Sequence, residues 1–280
     1  VPQGREGGGM MGLSPIEYHP WNGKRTEHGK RFIVIAESIF QRSIGSKWFL
    51  AVLMIGTFLT FALPIIFTAI APQEGLEGEN MASQLNNGLF FIFLLILAAL
   101  VCSDLIAEDR RSKSFVLYMS RALSSEGYLS GKFLGAFASL AIFGFIPPLI
   151  LAVTTIVTQS GPDYVSSVGV LGQTMVAGLW ITLFFIPLGL LVSSLTERKT
   201  YAAVATFMVV FVLGIVGEIF SESDVNWFLL GPEYVMTFSI DAMFGVDLPD
   251  GMNIGLLFLA CLAYTVIPMA VTYLMLKRRE

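Results

Sequence analysis

Six stretches of this chain are apolar for long enough to cross a lipid bilayer as helices, and no other feature of the sequence restricts its fold so severely. They lie at about Trp48–Ala71, Leu85–Ser103, Phe133–Val157, Val170–Leu195, Tyr201–Ile219 and Ile254–Leu276. A membrane helix needs ~20 apolar residues to span the hydrocarbon layer. Within that layer every backbone N–H and C=O must be satisfied by the protein itself. The composition agrees: 55% of the residues are hydrophobic and 14% charged, whereas a soluble domain carries about 25% charged residues. A water-soluble fold would have to hide all six runs in one core. The fold class expected is an all-α polytopic membrane protein with six transmembrane helices, residues 48–280 forming the membrane domain.

The first, third, fourth and sixth runs contain Pro64, Pro147–Pro148, Pro187 and Pro268. Such prolines kink membrane helices, and the carbonyls they free find partners on neighbouring helices. Between the fifth and sixth runs the connection from Glu218 to Asn253 is too apolar to be fully solvated. Two half-buried helical pieces broken at Gly231–Pro232 fit it, and an ordinary external loop with a hydrophobic cluster is the other reading.

Lysine and arginine placement sets the orientation, because basic residues collect on the cytoplasmic side. All 17 fall in the N-terminal segment, between the second and third runs, between the fourth and fifth, or at the C-terminal "KRRE". The other connections carry acidic residues instead, among them Glu74, Glu77, Glu79, Asp163, Glu222 and Asp224. Both termini are therefore expected in the cytoplasm of a multi-pass plasma-membrane protein. The net charge of −4 averages a basic inner face and an acidic outer one, and implies no acidic or nucleic-acid partner.

Residues 1–25 are Gly-rich and polar, with no apolar core of a signal peptide, and read as a flexible cytoplasmic tail. Residues 26–47 read as an interfacial amphipathic helix, with a cytoplasmic start to the first span as the plain alternative. Phe32, Ile35, Ala36, Ile39 and Phe40 share one side, Glu37, Ser38, Gln41 and Arg42 the other, and Gly45–Ser46 offers a bend before the first span. Cys102 and Cys261 sit in apolar runs and His19 and His28 in the N-terminal segment, so neither a disulfide framework nor a metal site is expected.

The spans are nearly free of ionisable side chains, the usual carriers of protons and coupling ions. That weighs against a gradient-driven transporter, and the lack of embedded His, HExxH or GxSxG weighs against an intramembrane hydrolase. The segment from Gly127 to Phe133, "GYLSGKF", has the look of a P-loop but fails as one: the spacer is short and Phe133 stands where a hydroxyl should bind magnesium. Any energy source must be a separate subunit.

The densest cluster of charge, "IAEDRRSKSFVLYMSRAL", lies between the second and third runs. Glu108 with Arg111 and Asp109 with Lys113 have spacings that support a helix. Phe115, Leu117, Tyr118 and Met119 follow as an apolar patch ringed by charge, the composition of a docking surface. Ser124 or Ser125 can cap the third span, with Glu126 in its first turn. The plain alternative is a charged inner loop that obeys the orientation rule and nothing more.

The run Glu-Asp-Arg-Arg-Ser-Lys-Ser followed by Tyr118, Ser120, Arg121, Ser124 and the Tyr128-x2-Gly131-Lys132 approach to the third span resembles the inner-loop signature of ABC transporter permeases of the ABC-2 type. "WNGKR" at Trp21–Arg25 resembles that family's N-terminal approach. The sequence departs from the family pattern at Lys113–Ser114, Ala122 and Ser125.

The resemblance implies a permease subunit with no catalysis or cofactor of its own, pairing with a second permease subunit, alike or different. ATP and Mg2+ would bind a separate cytoplasmic P-loop ATPase. It implies a cytoplasmic coupling helix from about Ala107 to Met119 seated on that ATPase through Glu108, Arg110, Arg111, Phe115, Tyr118 and Arg121. The helix bearing Phe32, Ile35, Ile39, Phe40 and Arg42 would flank the same contact. A transporter or channel needing no ATPase, or a membrane scaffold, are the competing readings.

Overall fold

The structure, a computed structural model, describes residues 31–70, 78–112, 124–158 and 164–278; the expected tail, 1–25, lies outside them. In chain order the helices are α1 (Arg31–Gly45), then α2 (Lys47–Thr57) and α3 (Leu63–Ile70) joined by a π-helical turn at Phe58–Ala62. Next come α4 (Gly78–Leu85), α5 (Gly88–Ser103), α6 (Ala107–Arg111), α7 (Ser125–Gly144), α8 (Ile146–Thr158) and α9 (Tyr164–Leu195). The chain continues with α10 (Lys199–Ser221), a 3-10 turn at Val225–Leu230, α11 (Pro232–Phe244) and α12 (Ile254–Lys277). The described residues contain no strand. Six helical units are long and apolar enough to span a membrane: α2–α3, α5 together with α6, α7–α8, α9, α10 and α12.

Local chemistry sets their limits. Asn87, Ser124 and Asn253 cap α5, α7 and α12, each accepting from a first-turn amide. Ser46, extended between α1 and α2, accepts from Phe49 N and makes the expected bend. Pro64 has no N–H to offer the Thr60 carbonyl four residues back. Gln84 on α4 donates to that carbonyl instead, at 2.7 Å, so the freed carbonyl is satisfied by a neighbouring helix. The third span breaks at Phe145, just ahead of Pro147–Pro148. It begins at Ser125 rather than at the apolar run's Phe133, which brings Tyr128 and Lys132 into the helix.

The second and fourth spans form the centre. In their most apolar windows 61% and 67% of residues are buried, against 11% in the sixth span. They cross closely where Gly189 meets Cys102; a Cβ on Gly189 would sit 2.5 Å from the Cys102 Cβ, the small-residue contact typical of membrane helices. Phe61, Phe90 and Phe143 meet within 6.3 Å, centroid to centroid, and lock the first three spans together.

At the acidic end the connection before the sixth span is built as the sequence suggests, a 3-10 turn and α11 meeting at Gly231. Gly214 and Gly217 of α10 give it a seat: a Cβ on Gly217 would lie 3.0 Å from the Trp227 carbonyl oxygen and 3.2 Å from Gly231 N. The Glu233 carboxyl rests against Gly214, and burial together with the nearby Glu218 charge pushes its pKa above the usual carboxylate range.

α1 uses its apolar face as expected, but against protein. Ile35, Ala36 and Ile39 pack on α7 where Gly131 and Gly135 open a flat strip; a Cβ on Gly135 would lie 2.7 Å from Ile39 Cβ and 2.9 Å from the Ala36 carbonyl oxygen. Replacing Gly135 with Ala forces α1 off α7, and we expect a loss of ~1–3 kcal/mol, the range of overpacked sites, read as a lower unfolding temperature. Gly169→Ala on α9, where a Cβ meets nothing within 4 Å, should leave stability unchanged or raise it by up to about 1 kcal/mol through helix propensity.

Candidate functional site

The charged junction between the second and third spans is where the structure concentrates its polar contacts. α5 ends at Ser103, the chain turns through Asp104–Ile106, and α6 starts at Ala107. No side chain of α6's own cap residue, Ile106, can satisfy its first amides. Ser193 on α9 supplies the missing acceptor: its hydroxyl accepts from the amides of Ile106 at 3.1 Å and Ala107 at 3.0 Å, and donates to the Ser103 carbonyl at 3.1 Å. A helix too short to hold itself is thus capped by a different span.

Asp109 turns inward. Its Oδ2 accepts from Lys132 Nζ at 2.7 Å and from the Tyr128 hydroxyl at 2.7 Å, and the Asp109 and Lys132 side chains are 9% and 5% exposed. Tyr128 and Lys132 stand one turn apart on the same face of α7, so a single carboxylate closes both. A buried ion pair is tolerable only when well made and hydrogen-bonded, and here the phenol supplies the extra bond.

Arg110 reaches the other way. Its guanidinium donates to the carbonyls of Ser194 and Thr196 and meets Glu197 at 3.5 Å. It thereby satisfies carbonyls at the C-terminus of α9, where cations are favoured. Asp104 lies 3.9 Å from Lys199 of α10, and Tyr273 of α12 donates to Glu126 at 3.2 Å. The junction is bound to the third, fourth and fifth spans, and α7's first turn to the sixth.

Two of the residues expected to dock a partner face outward: Glu108 and Arg111 pair at 3.4 Å with side chains 31% and 63% exposed. Arg110, 17% exposed, is committed to α9. Phe115, Tyr118 and Arg121 lie outside the described residues. So does Lys113, the partner that spacing suggests for Asp109; the structure gives that carboxylate Lys132 and Tyr128. On α1, Ile39 is buried, Phe32, Ile35 and Phe40 are half-buried, and Arg42 is exposed.

Sequence reasoning missed the Asp109–Tyr128–Lys132 cluster and the Ser193 cap. The first had a signal: a lysine opening an apolar run with a tyrosine one helical turn before it, next to a strongly acidic connection. Ser193 has none, being a serine in a long apolar helix. The arrangement holds no nucleophile beside a base; what it can do is carry force, since a push on α6 reaches several spans at once.

A family model described as ABC-2 family transporter protein matches residues 33–280, from α1 to the end of the chain. No curated protein matches the chain.

Leaving one partner of a buried pair alone costs ~3–5 kcal/mol, so Lys132→Met and Asp109→Leu should each lower the unfolding temperature sharply. The double variant, with no orphaned charge, should lose less than the sum of the two. Thermal unfolding of the four proteins in one detergent measures this coupling.

Proposed function

The chain belongs to the ABC-2 transporter family, and from that premise we propose that it is the permease subunit of an ATP-driven transporter, gripped at the junction of its second and third spans by a separate cytoplasmic ATPase. Membership makes it a multi-pass membrane transport subunit; the motor, its place of contact and the direction of the chain through the membrane are our reading. The binding of α6 to the spans carries it. α6 is held by Lys132 of α7 and by Ser193 and the Ser194 carbonyl of α9, while Glu108 and Arg111 on the same five residues remain outward. A docked subunit that moved α6 would move the third and fourth spans with it.

In this reading both termini and the basic end face the cytoplasm, in keeping with the distribution of lysine and arginine. α6 with the residues up to Met119 forms the coupling helix, and Phe115, Tyr118 and Arg121 complete its docking face with Glu108 and Arg111. α1 lies in the inner interface, with Ile33 and Val34, 48% and 66% exposed, on the side away from α7, as an interfacial helix requires. ATP and Mg2+ are bound by the ATPase alone. A second permease subunit completes the transporter, and substrate passes between the two as the ATPases close.

A tagged chain should copurify with a P-loop ATPase whose hydrolysis rate changes when the permease is present. Glu108→Ala and Phe115→Ala should leave hydrolysis running while transport falls by about tenfold or more, the effect of losing an interface anchor worth ~1.4 kcal/mol or above. Full transport by the purified chain alone, or unchanged coupling in both variants, would overturn the proposal.

A further inference from the structure

At the basic end a cavity of about 320 Å³ opens between α1, α2, α5, α7 and α10. Three cations reach it from three elements: Arg42 of α1, Lys132 of α7 and Lys199 of α10. Lys132 is balanced by Asp109. Asp104 also lines the cavity, 3.9 Å from Lys199, an approach too long for a hydrogen bond. Arg42 makes no ion pair among the described residues. With the two carboxylates counted against the three cations, the site carries one positive charge.

Neutral donors surround the same space. Thr200 lines it from the first turn of α10, where Tyr201 N and Ala202 N bond the Arg198 carbonyl and Arg198 offers no side-chain cap to the amides before them. Ser46 lines it too, its oxygen accepting from Phe49 N while its proton is left to donate. The rest of the wall is apolar, with Ile39, Phe49, Leu100 and Ala203 among it, and Trp48, 77% exposed, stands at the margin. A tryptophan beside basic side chains at the end of a membrane span marks headgroup depth.

We infer that this cavity binds the phosphodiester of an anionic phospholipid, its phosphate between Arg42, Lys199 and Thr200 and its glycerol backbone against the apolar wall. A phosphodiester carries a single negative charge, which matches the unbalanced charge of the site; a phosphate monoester carries closer to two. Basic pockets between membrane helices take such headgroups, and guanidinium and ammonium groups both bind phosphate oxygens strongly. Because the lipid would touch α1, α5, α7 and α10 together, it would fasten the amphipathic helix to the bundle. The inference stands on the cavity and its charges and does not need an ATPase, so its failure would leave the proposed coupling untouched.

The full chain reconstituted in phosphatidylcholine nanodiscs, with and without phosphatidylglycerol, tests it by thermal unfolding. Phosphatidylglycerol should raise the unfolding temperature by about 2–4 °C, the shift for roughly 1 kcal/mol of linkage in a chain of this size, and should copurify from detergent. Arg42→Gln with Lys199→Gln, both at exposed side chains, should abolish the shift, and Arg42→Lys with Lys199→Arg should keep it. Soluble glycerophosphoglycerol, the headgroup without chains, should have no effect. A shift with the soluble headgroup alone would overturn the lipid as the source while keeping the phosphodiester site. No shift with either, or a shift retained in the double Gln variant, would overturn the site itself.

Discussion

An ammonium and a carboxylate placed side by side out of water cost more to desolvate than they return unless their geometry is good and their remaining donors and acceptors are used. Lys132 and Asp109 stand 2.7 Å apart, and the Tyr128 hydroxyl gives the carboxylate a second donor. The basic end of the protein is arranged around them. The pair stands where the second span hands over to the third, so it fixes α6 against α7. α6 in turn carries Arg110 to the end of α9 and receives the Ser193 hydroxyl at its own start. Without the pair, these five residues of helix would keep only the Ser193 cap and the Arg110 guanidinium to hold their place.

On the proposed function, these contacts are what would let a charge-poor bundle be driven from outside itself. The central second and fourth spans are packed too closely to deform independently, as the contact of Gly189 with Cys102 shows. Packed interiors transmit displacement rather than absorb it. Force applied at α6 therefore reaches the third span through an ion pair and the fourth through a cap and a guanidinium. The prolines add places where the spans can bend without losing hydrogen bonds, Thr60 and Gln84 being the clearest case.

Much of the fold was legible because bilayer crossing imposes length and composition together: the six runs, the bend at Gly45–Ser46, the cap at Ser124 and the break at Gly231–Pro232 all follow from local chemistry. Hydropathy alone starts the third span at Phe133, whereas the cap signal at Ser124 places its start where the helix begins; what spacing could not show is the partner that lets Tyr128 and Lys132 stand buried in that helix. That partner is a residue distant in sequence, and so is Ser193; spacing rules reach only three or four residues along a helix. α1 shows the same limit. Its apolar face was plain, yet only the glycines on α7 reveal that the face meets protein. Of the residues proposed to dock an ATPase, Glu108 and Arg111 face outward, whereas Arg110 is turned to a structural task that its neighbours in sequence do not announce.

Coupling through α6 requires its outward face to lie in the cytoplasm under a bound ATPase. A single cysteine at position 108, in a chain with Cys102 and Cys261 changed to Ala, can be probed with a membrane-impermeant maleimide. The account predicts no labelling in sealed cells, labelling once the membrane is permeabilised, and protection from it when the ATPase is bound. Labelling of the sealed cells would place α6 on the wrong side of the membrane and contradict it.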